Sequence, residues 1–263
     1  MSNKLLVIAG PCVVESKELL QETASKLKAI CEKLNCVFIF KSSYKKANRT
    51  SNDSFTGIGD ELALQYLKEI KNEYNVKVLT DIHSVEEAVK AAEYVDVLQI
   101  PAFLCRQTEL LQAAARTGKT INIKKGQFMA PGDMKKAIDK VISTGNNNVM
   151  VTERGSSFGY HDLVVDFRSL VIMKKFGYPV IFDATHSVQQ PSLGKESGGR
   201  PEFIPALARA AVAVGIDGIF FETHPQPEKA SSDSASQLPL DKAESFLSDV
   251  CKFHECYKNS ILI

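Results

Sequence analysis

Basic side chains follow several short apolar runs of the sequence, where they could together bind an anion. Lys41, Lys124, Lys125 and Arg154 each stand at or just beyond the end of such a run. Cations crowded into one place repel one another unless an anion neutralises them. Lysine offers phosphate a point charge, and arginine offers a planar fork of donors. If the runs meet, the sequence predicts a site for a small phosphorylated substrate; surface ion pairs with neighbouring carboxylates are the alternative.

A second candidate set consists of Cys12, His186, Glu222 and Asp233. A thiolate, an imidazole and two carboxylates would suit a divalent transition metal. The four residues are far apart in the chain, so their spacing alone does not show that they meet. They could converge on one ion only if the segments that follow the first, seventh and eighth apolar runs are neighbours in the fold.

The remaining cysteines and histidines have no comparable polar neighbours. The six cysteines contain no CxxC pair and do not resemble a disulfide framework. We expect four of them to pack as small apolar side chains: Cys31, Cys36, Cys251 and Cys256. Three histidines are expected to be structural or surface residues: His83, His161 and His254.

The composition is that of an ordinary globular protein and excludes disorder and fibrous repeats, with 44% apolar and 24% charged residues. Because 32 basic residues balance 31 acidic ones, a surface that coats nucleic acid is not expected. No apolar run approaches the roughly 18 residues of a membrane span. The run Leu5–Ala9 is shorter than a signal-peptide core of about 7–15 residues, so we expect a cytoplasmic protein.

Short apolar runs alternate with amphipathic stretches of helical spacing along the chain. The runs are continuous in polarity, as in parallel strands buried on both faces, and there are eight of them: Leu5–Ala9, Val37–Phe40, Val76–Thr80, Val95–Ile100, Thr120–Ile123, Asn148–Thr152, Val180–Phe182 and Gly218–Phe221. Ser84 and Glu87 fit a capping box at the start of one helix.

Eight strands, each followed by a helix, predict a (β/α)8 barrel in which residues 1–263 form a single domain. The alternative is a doubly wound open sheet, but no GxGxxG follows the first strand, and Gly57-Ile58-Gly59 follows a polar loop. In such a barrel the carboxyl ends of the strands carry the active site. The fold would therefore bring both candidate sets to one rim.

Eight motifs resemble those of the 3-deoxy-D-manno-octulosonate 8-phosphate synthases, also called 2-dehydro-3-deoxyphosphooctonate aldolases. They are GPCVVES (10–16), FKSSYKKANRTS (40–51), QIPAFLCRQT (99–108), NIKKGQFMAP (122–131), TERG (152–155), DATHSVQQP (183–191), SGGR (197–200) and FETHPQP (221–227). They cover almost the whole chain in the right order. GPC–ES and D–TH also occur in the 3-deoxy-D-arabino-heptulosonate 7-phosphate synthases, whereas KANRTS favours the octulosonate family.

The resemblance implies a (β/α)8 barrel, usually a homotetramer, that condenses phosphoenolpyruvate with D-arabinose 5-phosphate and water. Inorganic phosphate is released, and the other product feeds the lipopolysaccharide inner core. The residues implied for phosphoenolpyruvate are Lys41, Lys46, Gln99, Lys124 and Arg154. Those implied for arabinose 5-phosphate are Asn48, Arg49, Thr50, Asp81 and Gln189, with Arg49 and Thr50 contributed by a neighbouring subunit. Lys46 or a metal-bound water is implied as the proton donor to the forming alkoxide.

The resemblance also implies a metal-dependent subtype. Cys12 stands where metal-independent members have asparagine, and it would complete a site with His186, Glu222 and Asp233. Such a site would hold one divalent transition metal ion per subunit, either Zn²⁺, Fe²⁺ or Mn²⁺. The chain departs from the family at Tyr44-Lys45, where Phe-Asp is usual, and the added charge of Lys45 could either strengthen anion attraction or face solvent.

Three alternatives remain at this stage. A heptulosonate synthase would share the phosphoenolpyruvate half of the site but accept erythrose 4-phosphate. A Schiff-base aldolase would use Lys124 as its nucleophile. A barrel that only binds a sugar phosphate would have no need of the four candidate metal ligands.

Overall fold

A closed barrel of parallel strands forms the centre of the molecule. The structure, a computed structural model, describes residues 4–47, 55–191 and 198–261. The barrel strands in these ranges are β1 Leu6–Gly10, β2 Val37–Lys41, β3 Lys77–Asp81, β4 Val97–Ile100, β5 Thr120–Lys124, β6 Val149–Glu153, β7 Val180–Asp183 and β8 Gly218–His224. They pair in chain order, and β8 also pairs with β1, with Gly218 opposite Leu6. The predicted (β/α)8 barrel is therefore confirmed, and the open doubly wound sheet is wrong.

A helix follows each barrel strand in the part of the chain that the structure describes. These helices are α1 Lys17–Lys33, α2 Asp60–Tyr74, α3 Val85–Ala92, α4 Thr108–Arg116, α5 Met134–Ile142, α6 Arg168–Lys174, α7 Ile204–Val214 and α8 Ala243–Ile261. The capping prediction holds in part: the Ser84 hydroxyl accepts from the Glu87 backbone N–H at 3.3 Å, but the Glu87 carboxylate accepts from His83 N instead of Ser84 N. Among the described residues, none of the helices combines the length and apolar character that crossing a bilayer requires.

The inside of the barrel is apolar at one level and polar at the next. We call the lower level the apolar floor; it consists of Ile8, Ile39, Leu79, Val97, Met150, Ile181 and Phe220, which form a cluster separate from the core beneath the helices. Side chains two apart in a strand point to the same face. Two positions after the floor residues, the strands carry Gly10, Lys41, Asp81, Gln99, Thr152, Asp183 and Glu222. The interior therefore changes from hydrocarbon to charge at the carboxyl ends of the strands.

Short secondary strands occupy the loops at the carboxyl end. In the loop after β6, Ser156–Ser157 pairs with Leu163–Val164, and after β7 Gln189–Gln190 pairs with Gly198–Gly199. After β8, Leu238–Pro239 lies parallel to the last residues of that strand. These pairings join described segments of three loops at the barrel mouth through backbone hydrogen bonds.

Gly10 allows β1 to approach the end of β2. A Cβ at Gly10 would lie 2.0 Å from the carbonyl oxygen of Lys41. We therefore expect Gly10→Ala to lower the free energy of unfolding by about 1–3 kcal/mol, because backbone must shift to relieve the overlap. Guanidinium denaturation measures this value. Gly132→Ala is the matched control: its Cβ meets nothing within 4 Å, so its change should stay below about 0.5 kcal/mol. Wild-type stability in Gly10→Ala would contradict the close approach.

Candidate active site

Two lysines from different strands lie over the ring of Phe220 in the apolar floor. Lys41 ends β2 and Lys124 ends β5, and both are buried. Their Nζ atoms lie 5.6 Å and 4.1 Å from the centroid of the Phe220 ring. The barrel thus brings these ammonium groups to one mouth, as its closure requires.

Each of these lysines has a buried carboxylate partner. Lys41 Nζ donates to Glu222 Oε1 at 2.5 Å and to the Cys12 carbonyl oxygen at 3.0 Å. Lys124 Nζ lies 2.7 Å from Asp183 Oδ2. Burial lowers the pKa of Lys124, and the charge of Lys41 lowers it further, so the Asp183 contact only partly restores it. Each of these two lysine charges is therefore balanced by a carboxylate.

Arg154 has a buried guanidinium group that is only partly hydrogen-bonded to the described residues. It follows β6 directly and is 5% exposed. Its Nη2 donates to Gln189 Oε1 at 2.9 Å. Its Nη1 is buried and has no hydrogen-bond partner among the described residues. A buried guanidinium nitrogen without a partner is costly, and a phosphate oxygen would satisfy it.

Lys46 belongs to a polar chain on the β2–β3 side of the mouth. Its Nζ donates to Ser43 Oγ at 2.9 Å, and Ser43 Oγ donates to Asp81 Oδ1 at 2.8 Å. Burial alone would lower the pKa of Lys46, but the carboxylate charges of Glu222 and Asp81 raise it above its ordinary value. Burial alone would raise the pKa of Asp81, but the charges of Lys46 and Lys41 hold it below its ordinary value. Lys46 is thus a stable ammonium group beside an ionised carboxylate.

A row of amide and hydroxyl groups orients Gln99. Thr152 Oγ1 donates to Asn122 Oδ1 at 2.6 Å, and Asn122 Nδ2 donates to Gln99 Oε1 at 3.2 Å. Because its oxygen is engaged, Gln99 offers its amide N–H groups to a ligand. We did not predict Asn122 and Thr152; the available signal was that each stands two positions before a predicted site cation, and so on the same strand face.

Three of the four predicted metal ligands lie together. One donor atom each from Cys12, Glu222 and Asp233 can be chosen so that all lie within 4.8 Å of one another. Cys12 Sγ is 3.3 Å from Asp233 Oδ2. His186 borders this group, with Nε2 3.7 Å from Glu222 Oε1 and 3.8 Å from Asp233 Oδ2.

The chemistry of this group fits a divalent cation. Glu222 Oε2 is buried and has no hydrogen-bond partner among the described residues. Burial raises the pKa of the Cys12 thiol well above its ordinary value, and Asp233 and Glu222 raise it further. A cation would satisfy the orphaned oxygen, offset the carboxylate charges and stabilise the thiolate. The donor set is of the kind that zinc and other transition metals prefer.

Supporting contacts orient these donors. Asp183 Oδ2 lies 2.8 Å from His186 Nδ1, which directs Nε2 towards the group, and Asp183 Oδ1 accepts from the His186 backbone N–H at 2.9 Å. Glu15 accepts from Ser231 N at 3.1 Å and from Ser231 Oγ at 2.7 Å, which ties the loop of Asp233 to the segment of Cys12. Asp183 and Glu15 lie in the motifs DATHSVQQP and GPCVVES, and neither of them was assigned a role from the sequence.

The structure decides the orientation of Lys45. Its Nζ contacts Glu87 Oε1 at 2.5 Å and Asp60 Oδ2 at 3.2 Å, which fastens the β2 loop to α2 and α3. Lys45 is thereby paired with two carboxylates, an arrangement that the sequence analysis did not consider beside anion attraction and solvent exposure. Asn48, Arg49 and Thr50 lie outside the described residues, so their assignments stay predictions.

A model of the DAHP synthetase I family matches residues 1–259. The chain belongs to the DAHP synthetase I family. Within that family it is similar to proteins named 2-dehydro-3-deoxyphosphooctonate aldolase. The one from Koribacter versatilis is 54% identical over 256 residues, 96% of this chain and 92% of the relative. Those from Azoarcus sp. and Cyanothece sp. are 52% and 56% identical over 266 and 242 residues, covering 100% and 92% of this chain and 95% and 89% of the relatives. The resemblance drawn from the motifs is confirmed.

Glu87 makes the fastening of the β2 loop sensitive to pH. Burial alone would raise its pKa, but hydrogen bonds from His83, Lys45 and Tyr44 lower the pKa of Glu87 to about 2. A depressed folded pKa adds stability that is present above the ordinary value of 4.5 and is lost as the pH falls from 4.5 towards 2. We expect Glu87→Gln to lower the free energy of unfolding by about 1–3 kcal/mol at pH 7.

The difference between this variant and wild type should shrink below pH 4.5, as measured by urea denaturation from pH 7 to pH 3.5. Glu93→Gln, which changes an exposed carboxylate at the end of α3, is the control. Its free energy of unfolding should equal that of wild type at every pH. A constant difference at all pH values would show that Glu87 acts through its packing and not through its charge.

Proposed function

We propose that the chain condenses phosphoenolpyruvate with D-arabinose 5-phosphate and water, giving 3-deoxy-D-manno-octulosonate 8-phosphate and inorganic phosphate. The observation that carries the proposal is that Lys41, Lys124 and Arg154 lie at one mouth. Beside them lie the donor atoms of Cys12, Glu222 and Asp233, which we call the Cys12 group. The names of the relatives support the eight-carbon product. That product is a precursor of the lipopolysaccharide inner core.

In this proposal Lys124 and Arg154 bind the phosphate of phosphoenolpyruvate. Lys124 supplies charge from the end of β5, and Arg154 supplies the unpartnered Nη1. Within the described ranges, Arg154 has no carboxylate within salt-bridge distance, unlike Lys41 and Lys124, so it keeps a net positive charge for the ligand. Lys41 and the amide group of Gln99 complete the phosphoenolpyruvate side.

The sugar phosphate lies across the mouth, between the end of β3 and the loop after β7. The ionised Asp81 accepts hydrogen bonds from sugar hydroxyls, and Gln189, held by Arg154, lies near the chain of the sugar. Asn48, Arg49 and Thr50 bind its phosphate end. Positive charge on both phosphates offsets the repulsion between two anions, which is the main obstacle to bringing them together.

The reaction joins C3 of phosphoenolpyruvate to the aldehyde carbon while water adds to C2. Lys46 protonates the alkoxide that forms on the aldehyde oxygen. Water gives up one proton in exchange as it adds to C2. The C2 hydroxyl then loses its proton to the departing phosphate as the ketone forms and the C2–O bond to phosphate breaks. A transition metal ion held by Cys12, His186, Glu222 and Asp233 would supply polarisation of the aldehyde oxygen or orientation of the water.

We also propose a cytoplasmic homotetramer in which Arg49 reaches the site of a neighbouring subunit. Support comes from an exposed aromatic surface in the loops after β4, β5 and β6: Phe103, Phe128, Phe158 and Tyr160. The Ser157 backbone N–H donates to the Gln127 carbonyl oxygen at 3.0 Å, so two of these loops lie side by side. Contiguous exposed aromatic surface of this kind favours burial against another subunit.

Product analysis tests the function directly. The protein is incubated with Mn²⁺, phosphoenolpyruvate and either arabinose 5-phosphate or erythrose 4-phosphate, and phosphate release and the sugar acid formed are measured. We expect release with arabinose 5-phosphate to be at least about tenfold faster. Faster release with erythrose 4-phosphate would assign the chain to the heptulosonate reaction. Borohydride trapping of Lys124 would instead support a Schiff base, which its lowered pKa also permits.

Removal of the metal tests the Cys12 group. We expect a chelator to abolish turnover and Mn²⁺ or Zn²⁺ to restore it, and we expect Cys12→Ser to bind about one ion fewer per subunit by elemental analysis. Cys105→Ser, which changes a buried thiol in the β4 loop, should keep the wild-type metal content. Full turnover after complete metal removal would rule out the metal-dependent subtype.

A further inference from the structure

A buried ion pair joins the ends of β5 and β6 without facing the reacting atoms. Lys125 Nζ lies 3.3 Å from Glu153 Oε1, and both side chains are 1% exposed. Lys125 follows Lys124 directly, and Glu153 directly precedes Arg154. The two residues proposed to bind phosphate therefore each have one member of this pair as a chain neighbour.

The Glu153 carboxylate holds the turn that carries Arg154. Its Oε1 accepts from the backbone N–H of Arg154 at 3.0 Å and of Gly155 at 2.7 Å. Its Oε2 accepts from Ser169 Oγ in α6 at 2.6 Å. Gly155 has a φ of +90°, which places it in the left-handed region that glycine readily adopts. Backbone that leaves β6 in this way depends on the carboxylate for its hydrogen bonds.

Lys125 holds the same turn from the β5 side. Its Nζ donates to the carbonyl oxygen of Gly155 at 3.3 Å and to Ser156 Oγ at 3.2 Å. Its backbone N–H donates to the Thr152 carbonyl oxygen at 2.8 Å. The pair therefore binds the turn through an N–H on one side and a carbonyl on the other.

Burying two charges is an expensive way to join two strands, since apolar side chains of similar size would do so without the desolvation penalty. What the charged pair adds is control of backbone direction, because its ionic hydrogen bonds set where the chain goes after Glu153. Alternation along β5 puts Lys124 on the barrel side, over Phe220, when Lys125 is engaged with the turn.

We propose that Lys125 and Glu153 are positioning residues that set the spacing between Lys124 and Arg154 for the phosphate of phosphoenolpyruvate. The inference rests on the proposed function, because that function identifies the anion. Removing the pair should weaken phosphate binding and leave the part of the sugar site around Asp81, at the end of β3, little changed.

Steady-state kinetics of Glu153→Gln and Lys125→Met test this. We expect the KM for phosphoenolpyruvate to rise about tenfold or more, while kcat and the KM for arabinose 5-phosphate change less than about threefold. Lys125→Arg, which keeps the charge, should recover a large part of the loss seen in Lys125→Met. Calorimetry with inorganic phosphate alone should show the same rise in Kd as the KM for phosphoenolpyruvate.

Ser169→Ala is the matched control, because it removes a contact of Glu153 from α6 and leaves both contacts to the turn. It should lower Tm and leave the KM for phosphoenolpyruvate unchanged. Equal rises in both KM values, or unchanged phosphate affinity in Lys125→Met, would overturn the inference; the lysine variants decide it if Glu153→Gln does not fold. Absence of wild-type turnover would instead refute the proposed function, and calorimetry with phosphate would still decide whether the pair positions an anion site.

Discussion

The arrangement of the barrel mouth depends on buried lysines whose charges are balanced by buried carboxylates. Lys41 and Glu222 join β2 to β8, and Lys124 and Asp183 join β5 to β7. Loss of one partner from such a pair leaves an uncompensated buried charge, at a typical cost of about 3–5 kcal/mol. Glu222 is also one of the three grouped metal-type donors, so its two oxygens serve a lysine and a candidate ion respectively. Folding stability and ligand chemistry are therefore linked through the same carboxylate.

The alternation of strand side chains creates this mouth from a simple pattern. Ile39 and Lys41 share one face of β2, and Phe220 and Glu222 share one face of β8. The first residue of each pair builds the apolar floor, and the second stands above it. An apolar layer beneath the charges lowers the local dielectric constant, which strengthens every ion pair and hydrogen bond at the mouth. The floor thus contributes to binding as well as to folding.

The sequence was sufficient for the fold and for the identity of most charged residues at the mouth. Continuous apolar runs predicted the strands, and barrel closure then required Lys41, Lys124 and Arg154 to meet. The hydrogen-bond partners of the site residues could not be predicted from the sequence. Asp183 and Ser43 follow strands as many polar residues do, and only the structure shows that they contact His186 and Asp81. Lys45 shows the limit most clearly: its charge was visible in the sequence, but its direction is set by Glu87 and Asp60, which arrive from two other helices.

The apolar floor determines where substrates enter and products leave the barrel. Because hydrocarbon side chains fill the barrel at the level of Ile8, Met150 and Phe220, a ligand above them cannot leave through the opposite end of the barrel. Whatever reaches Arg154 must enter and depart past the same rim of loops. Two reactants and two products therefore enter and leave at the carboxyl end of the barrel.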